Sequence, residues 1–273
     1  MTLAGAARPA LPTAGEPEPE AVRGMFAELA GRYDLLNSLL SQGQDRRWRR
    51  RAAQLTRTVS GDRVLDVCSG TGALTRLLCQ RVAPGGEVVG LDLTEAMIEV
   101  ARIRAPGVQF VVGDVCHLPF PDSHFDAATM AFGLRNIRAK QLALAELRRV
   151  LRPDGRVVIL EFSTVLSPLR ASYAWYSRHL IPRIAAVVLG RDGAYRYLTE
   201  SIAAFPPPRA VSGWLLQAGF DRVRHHSMTG GVVALHVARR PSGAGGQPEA
   251  SPVGRPGRGG YSKGVITNSR PMR

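Results

Sequence analysis

Between residues 21 and 240 the chain alternates short runs of consecutive apolar residues with stretches in which apolar positions recur every three or four residues. Runs of the first kind suit strands buried on both faces, and the second kind suits the helices that cover them. Their alternation predicts an α/β domain with a mostly parallel sheet and helices on both faces. Strands are expected at 63–68, 87–92, 108–113, 125–131, 155–162, 222–229 and 231–239, and helices over 22–30, 41–57, 73–81, 94–104, 138–151, 168–190 and 207–218. The last two strands flank Thr229-Gly230-Gly231, a tight-turn signal, so they should pair as an antiparallel hairpin at a sheet edge. Residues 22–57 read as a helical cap ahead of the first strand, and about 165–200 as a lid-like insertion that interrupts the alternation.

Composition marks where this pattern stops. Residues 1–20 are rich in Ala, Pro and Glu, and 241–273 in Gly, Pro, Ser and Arg with few large apolar side chains, so both are expected to be disordered tails. The apolar content of 45% over 273 residues is enough for one sizeable core. Nothing in the N-terminal segment resembles a signal peptide, and the longest apolar run, near Ile184–Leu189, is far short of the ~20 residues that cross a bilayer. Cys68, Cys79 and Cys116 are odd in number and lack metal-ligand spacing, which fits a reducing cytoplasm and predicts neither disulfides nor a metal site. His225 and His226 are neighbours on an expected strand and so face opposite ways, unable to share a metal.

The formal charge of +14 raises nucleic acid and anionic membranes as partners. Much of it is local: six arginines (46, 47, 49, 50, 51 and 57) lie within 45–57, and five basic residues lie in the C-terminal tail. The Arg46–Arg51 run beside Trp48 would suit peripheral contact with anionic lipid, although a solvated helix face is the plainer reading.

The chemistry is concentrated at the strand ends. Arg63-Val64-Leu65-Asp66-Val67-Cys68 runs into Ser69-Gly70-Thr71-Gly72 and then a helix, an arrangement that lets a cofactor approach the backbone. A dinucleotide fingerprint would place a third glycine at position 75, which is Thr75, whereas Asp66 four residues before Gly70 gives D-x-x-x-G-x-G. That spacing favours S-adenosylmethionine over NAD. Asp92, with Leu93 beside it, closes the second strand twenty residues after Gly72, where a carboxylate can accept both ribose hydroxyl hydrogens. Gly113-Asp114-Val115 closes the third, where Asp114 and a backbone N–H would meet an adenine ring. Cys68 reads as a small core residue rather than a nucleophile.

Further motifs surround this frame: Tyr33-Asp34-Leu35-Leu36-Asn37, Ser41-Gln42-Gly43-Gln44-Asp45-Arg46-Arg47-Trp48, Phe132-Gly133-Leu134-Arg135-Asn136, Arg149-Val150-Leu151-Arg152-Pro153-Asp154-Gly155, Glu161-Phe162-Ser163 and Tyr197-Leu198-Thr199-Glu200-Ser201-Ile202. From about Val22 to Arg239 the chain resembles the C-methyltransferases of menaquinone and ubiquinone biosynthesis, which methylate a carbon of a prenylated quinol ring. It departs from their pattern at Leu36 for Met, Asp45 for His, Asp154 for Gly and Ala131 for Ser. The resemblance implies a class I, Rossmann-like S-adenosylmethionine methyltransferase fold with seven strands. It places cofactor contacts at Thr71, Asp92, Asp114 and Val115, beside the Asp66, Gly70 and Gly72 that the spacing selects. Gln44-Asp45-Arg46 and the arginine-rich composition resemble menaquinone-pathway members, which implies demethylmenaquinol as acceptor.

Such chemistry needs no metal. The acceptor carbon must be held in line with the methyl and made electron-rich, and a phenol with a pKa of about 10 needs help to ionise. Arg135, in the turn after the fourth strand, is placed to offer positive charge to the developing oxyanion, with Asn136 as helper. Tyr33, which would close over the cofactor or the acceptor, and His236, which would assist proton transfer or else simply pack, complete the catalytic set. A same-fold enzyme acting on another aromatic would share every cofactor residue. RNA methylation is disfavoured because no N-P-P-Y-like motif follows the fourth strand. A homodimer is compatible with the sequence and nothing in it demands one.

Overall fold

The computed structural model of the chain describes residues 18–165 and 193–242, together with 169, 174–176 and 179. The expected tails fall outside the described residues except for 18–20 and 241–242, and the helix expected over 168–190 lies almost wholly outside them. Three helices lead: α1 (Pro19–Leu29), α2 (Tyr33–Leu40) and α3 (Gln44–Leu55). α2 lies where the sequence pattern places no element. Only Leu36 of its eight residues is buried, too little to register as a period. Gly43, at φ +74°, separates it from α3.

Seven strands follow: β1 (Arg63–Val67), β2 (Glu87–Asp92), β3 (Gln109–Val112), β4 (Phe125–Ala131), β5 (Leu151–Phe162), β6 (Asp221–Met228) and β7 (Val233–Arg239). The helices between them are α4 (Thr75–Val82), α5 (Glu95–Arg104), α6 (Lys140–Val150), α7 (Gly193–Ala204) and α8 (Pro208–Gln217). The sheet order is β3-β2-β1-β4-β5-β7-β6. β1 to β5 are parallel, while β7 runs antiparallel between β5 and β6. The hairpin therefore forms one edge of the sheet as expected, with β6 outermost. Its turn is a 3-10 turn at Thr229–Gly231, with Gly230 at φ +61° and Gly231 at φ +90°.

Burial explains the layering. β1 and β4 are buried along nearly their whole length, as central parallel strands must be. On one face Trp48, Ala52 and Ala53 of α3 and Leu78 and Val82 of α4 pack on the sheet. On the other, Leu144 and Leu147 of α6 and Val211 and Leu215 of α8 do so. β5 begins earlier than expected, with a register jump: Phe125 pairs with Leu151 but Ala127 with Arg156. The kink is at Pro153 and Asp154, the latter at φ +65°. Aspartate is among the few non-glycine residues that tolerate that region, which accounts for its standing where the family pattern has glycine. Among the described residues, no helix is long and apolar enough to cross a membrane.

Candidate active site

Strand order reverses across the sheet between β1 and β4, and ligands of open α/β sheets bind outside the carboxyl ends of strands at such a switch point. A cavity of about 440 Å³ lies there, lined by Asp66, Gly70, Thr71, Asp92, Leu93, Asp114 and Val115 from the three strand ends, and by Tyr33 and Asn136 from α2 and the β4 turn. Gly72 is not on its wall. Its φ is +77°, and a Cβ there would stand 3.1 Å from Phe110 Cζ, so this glycine serves the turn and its packing.

Backbone N–H groups hold Asp92 and Asp114, and side-chain hydroxyls hold Asp66. Asp92 accepts the Gly70 N–H at 2.8 Å and the Thr94 N–H at 2.9 Å, tying the β2 end to the glycine loop. Burial raises its pKa, and those bonds oppose the rise. Asp114 accepts the Cys116 N–H at 2.9 Å. Asp66 sits deeper: its two oxygens accept the Thr75 and Thr129 hydroxyls at 2.7 and 2.6 Å. Burial pushes its pKa up to about 6. The threonine in place of a third glycine thus has a structural task, anchoring α4 to the β1 carboxylate. Burial also raises the Cys68 thiol well above its usual value, which leaves it a poor nucleophile.

The cap reaches over this loop. Thr71 donates its hydroxyl to Asp34 of α2 at 2.8 Å, and Asp34 also pairs with Arg104 of α5. Tyr33 lies beside Gly70, where an added Cβ would meet its ring at 3.9 Å, and packs edge-on against Phe26. Asp34 belongs to the Tyr33–Asn37 motif, whereas Arg104 carries no signal in the sequence.

A second cavity of about 650 Å³ adjoins the first, and Tyr33 and Phe132 line both. Its walls include Leu40, Trp48, Phe162, Val165, Tyr176, Leu198, Ile202, Phe205 and Arg135. Arg135 is not the free cation that the sequence suggests. Its Nη1 meets Glu161 Oε1 at 2.9 Å and the Phe132 carbonyl at 2.7 Å, and its backbone N–H donates to Glu161 Oε2 at 3.2 Å. The side chains of this pair are 4% and 0% exposed. The guanidinium also lies over the Phe162 ring at 5.2 Å. Asn136 is a brace on the first cavity's wall, accepting the Tyr197 hydroxyl of α7 at 3.0 Å.

Two expectations fail on geometry. His236 of β7 is 1% exposed, lines neither cavity, and faces the α6–α8 side with Ala238. Burial, and then His225, lowers its pKa to about 4. A buried neutral histidine costs stability in acid: between its unfolded pKa near 6.5 and about 4, the unfolded chain binds the proton and the folded chain does not. His236→Leu is therefore expected to retain turnover within about two-fold and to lose less stability on acidification across that window, by up to about 3 kcal/mol. Thermal unfolding of both proteins from pH 7 to 4 checks this, with equal slopes counting against it. Asp66 acts in the opposite sense over a similar window but is common to both proteins. Trp48 is the second failure. It is 3% exposed, donates its indole N–H to Thr229 at 2.8 Å, and cannot touch lipid. The arginine run is likewise split: Arg49 is buried on Asp45, while Arg46, Arg47, Arg50 and Arg51 are exposed.

The sequence profile of the ubiE/COQ5 methyltransferase family matches residues 15–240. The chain belongs to that family. It is 44% identical over 229 residues to the ubiquinone/menaquinone biosynthesis C-methyltransferase UbiE of Ectopseudomonas mendocina, covering 81% of this chain and 90% of that one. A UbiE of Pseudomonas aeruginosa is 44% identical over 224 residues, covering 80% and 88%. Among solved structures, a SAM-dependent methyltransferase of Thermotoga maritima, a possible histamine N-methyltransferase, superposes with a TM-score of 0.58 at 18% identity, over 80% of this chain and 99% of that one. The methyltransferase bound to the Haloferax volcanii Trm112 activator gives 0.57 at 19% identity, over 79% and 97%. These two show the fold alone: a class I, Rossmann-like methyltransferase sheet.

The enzyme is an S-adenosylmethionine-dependent C-methyltransferase. The first cavity fits that cofactor on its own terms, since Ser69 Oγ on its wall is buried without a partner and the loop backbone at Gly70 is open at φ +53°. Among the described residues, no cluster of three or more His, Cys, Asp or Glu could hold a metal.

Proposed function

We propose that the enzyme methylates a ring carbon of a prenylated quinol, with demethylmenaquinol as acceptor and menaquinol as product. C-methylation in quinone biosynthesis is its family's activity, and the names of its relatives span both ubiquinone and menaquinone. The observation that carries the acceptor assignment is the second cavity. Its aromatic and aliphatic walls suit a flat fused ring with an apolar tail, and it joins the first cavity at Tyr33 and Phe132.

When bound, S-adenosylmethionine would supply an electrophilic sulfonium methyl: a bond forms to the ring carbon as the C–S bond breaks with its electron pair kept on sulfur, and the proton displaced from that carbon passes to the ring oxygen as aromaticity returns. The chain's own residues have the remaining tasks. Asp92 would accept the ribose hydroxyls, Asp114 and Val115 would flank the adenine, and the Gly70–Thr71 backbone would meet the methionine end. Tyr33 and Phe132, common to both cavities, would set the acceptor ring beside the first cavity and exclude water, which strengthens every polar contact within. Arg135 would stabilise the phenolate through its guanidinium N–H groups rather than through net charge, because Glu161 neutralises it.

The exposed Arg46, Arg47, Arg50 and Arg51 of α3, with exposed Leu35 and Leu39 of α2, support contact with an anionic membrane in which a prenylated acceptor resides. Incubating the enzyme with labelled S-adenosylmethionine and a membrane extract, followed by mass analysis, tests the acceptor. Label is expected in a naphthoquinone, and label confined to a benzoquinone or to non-quinone material would refute it.

A further inference from the structure

Buried polar atoms without partners are costly, and in a folded protein they call for an explanation. Among the described residues seven side-chain atoms are in that state, and three of them belong to residues on the wall of the second cavity: Asn37 Nδ2, Arg135 Nε and Ser163 Oγ. Three other hydroxyls on that wall are engaged. The Tyr176 hydroxyl donates to the Leu40 carbonyl at 3.2 Å, the Thr199 hydroxyl to the Arg196 carbonyl at 2.9 Å, and Thr229 accepts the Trp48 indole.

The three orphans fall into two groups. Asn37 and Arg135 also border a small neighbouring cavity of about 30 Å³ in common, so they are close to one another, whereas Ser163, beyond the end of β5, does not border it. Two of the three atoms, Nδ2 and Nε, can only donate. Glu161 fixes Arg135 through its Nη1 and backbone, and neither bond uses Nε.

We propose that these orphans are the acceptor's oxygen sites: Asn37 Nδ2 and Arg135 Nε together grip one ring oxygen, and Ser163 Oγ meets a second. The occupant that satisfies both groups is a flat apolar ring with two separated oxygens, as in a hydroquinone. This rests on the proposed function and goes beyond it in assigning Asn37 and Ser163, with Glu161 as a positioning residue for Arg135. The paired donors act on the oxygen that becomes anionic, because hydrogen bonds to a charged group exceed those to a neutral one.

The test uses a reduced, short-chain prenylated naphthoquinol as substrate, with 1,4-dihydroxynaphthalene and 1-naphthol as competing probes. Asn37→Leu is expected to lower kcat/KM by about 10- to 100-fold, the size of one lost hydrogen bond to a charged group. Cofactor affinity should stay unchanged, and part of the loss should be recovered above pH 9 as the phenol ionises unaided. Ser163→Ala, a one-atom change that keeps the fold, should abolish the preference of the wild type for the diol over the mono-ol, expected at about 3- to 10-fold. If the wild type turns over the naphthoquinol but Asn37→Leu has an unaltered rate and pH profile, or Ser163→Ala keeps the preference, the oxygen sites are wrong. A wild type inert toward the naphthoquinol would instead overturn the proposed acceptor.

Discussion

Asp92→Ala is expected to weaken S-adenosylmethionine binding by at least about 100-fold, since it removes bonds to an ionised carboxylate that contribute about 1.5–3 kcal/mol each. The effect has two parts. The carboxylate is the ribose acceptor in the proposed binding mode, and it also accepts the Gly70 and Thr94 N–H groups, so its loss frees the glycine loop as well. Calorimetry against S-adenosylmethionine measures it. Asp92→Asn keeps one acceptor oxygen and should fall between the two proteins. An Asp92→Ala protein with wild-type affinity would show that the cofactor lies elsewhere.

Glu161→Leu carries the larger cost in stability. The carboxylate is fully buried and pairs with Arg135, itself 6% exposed, so the substitution leaves an uncompensated guanidinium in the core. Breaking a buried pair from one side costs about 3–5 kcal/mol. For a domain of this size that is roughly a 10 °C fall in Tm. Turnover should fall with it because Arg135 loses its hold. The double variant Glu161→Leu/Arg135→Leu is expected to regain much of the Tm, two apolar side chains replacing two charges, yet to remain inactive toward the quinol. Scanning calorimetry beside the methyl-transfer assay separates the two effects. If Glu161→Leu melts with the wild type, the pair is not the buried anchor described here.

The strands and the residues that line the first cavity were legible in the sequence because short-range signals encode them. A continuous apolar run, a glycine turn and an acidic residue at a strand end are each local, and Asp66, Gly70, Asp92 and Asp114 follow from their spacing alone. What the pattern hid depends on partners distant in the chain. Arg135 reads as a free cation until Glu161, on the neighbouring strand, is seen to neutralise it. Trp48 among five arginines reads as an exposed anchor until Thr229 of the hairpin turn receives its N–H. His236 carries a chemically suggestive side chain, but its place between β5 and β6 removes it from both cavities. The clasp of Asp34, Thr71 and Arg104 joins α2, the glycine loop and α5, three segments whose adjacency no periodicity reveals. Asp154 was the reverse case. A departure from the family pattern became intelligible once its positive φ placed it at the kink in β5, at the opposite end of that strand from the site.

Two cavities meeting at Tyr33 and Phe132 would bring a methyl donor to a quinol ring carbon. The most direct test of this is the position of the transferred group. The purified enzyme would be supplied with S-adenosylmethionine carrying a ¹³C-methyl and with a reduced prenylated naphthoquinol lacking the ring methyl, and the product examined by carbon NMR. A single new aryl methyl is expected on the ring carbon beside an oxygen. A methyl on oxygen, or no transfer to this acceptor while a benzoquinol is methylated, would contradict it.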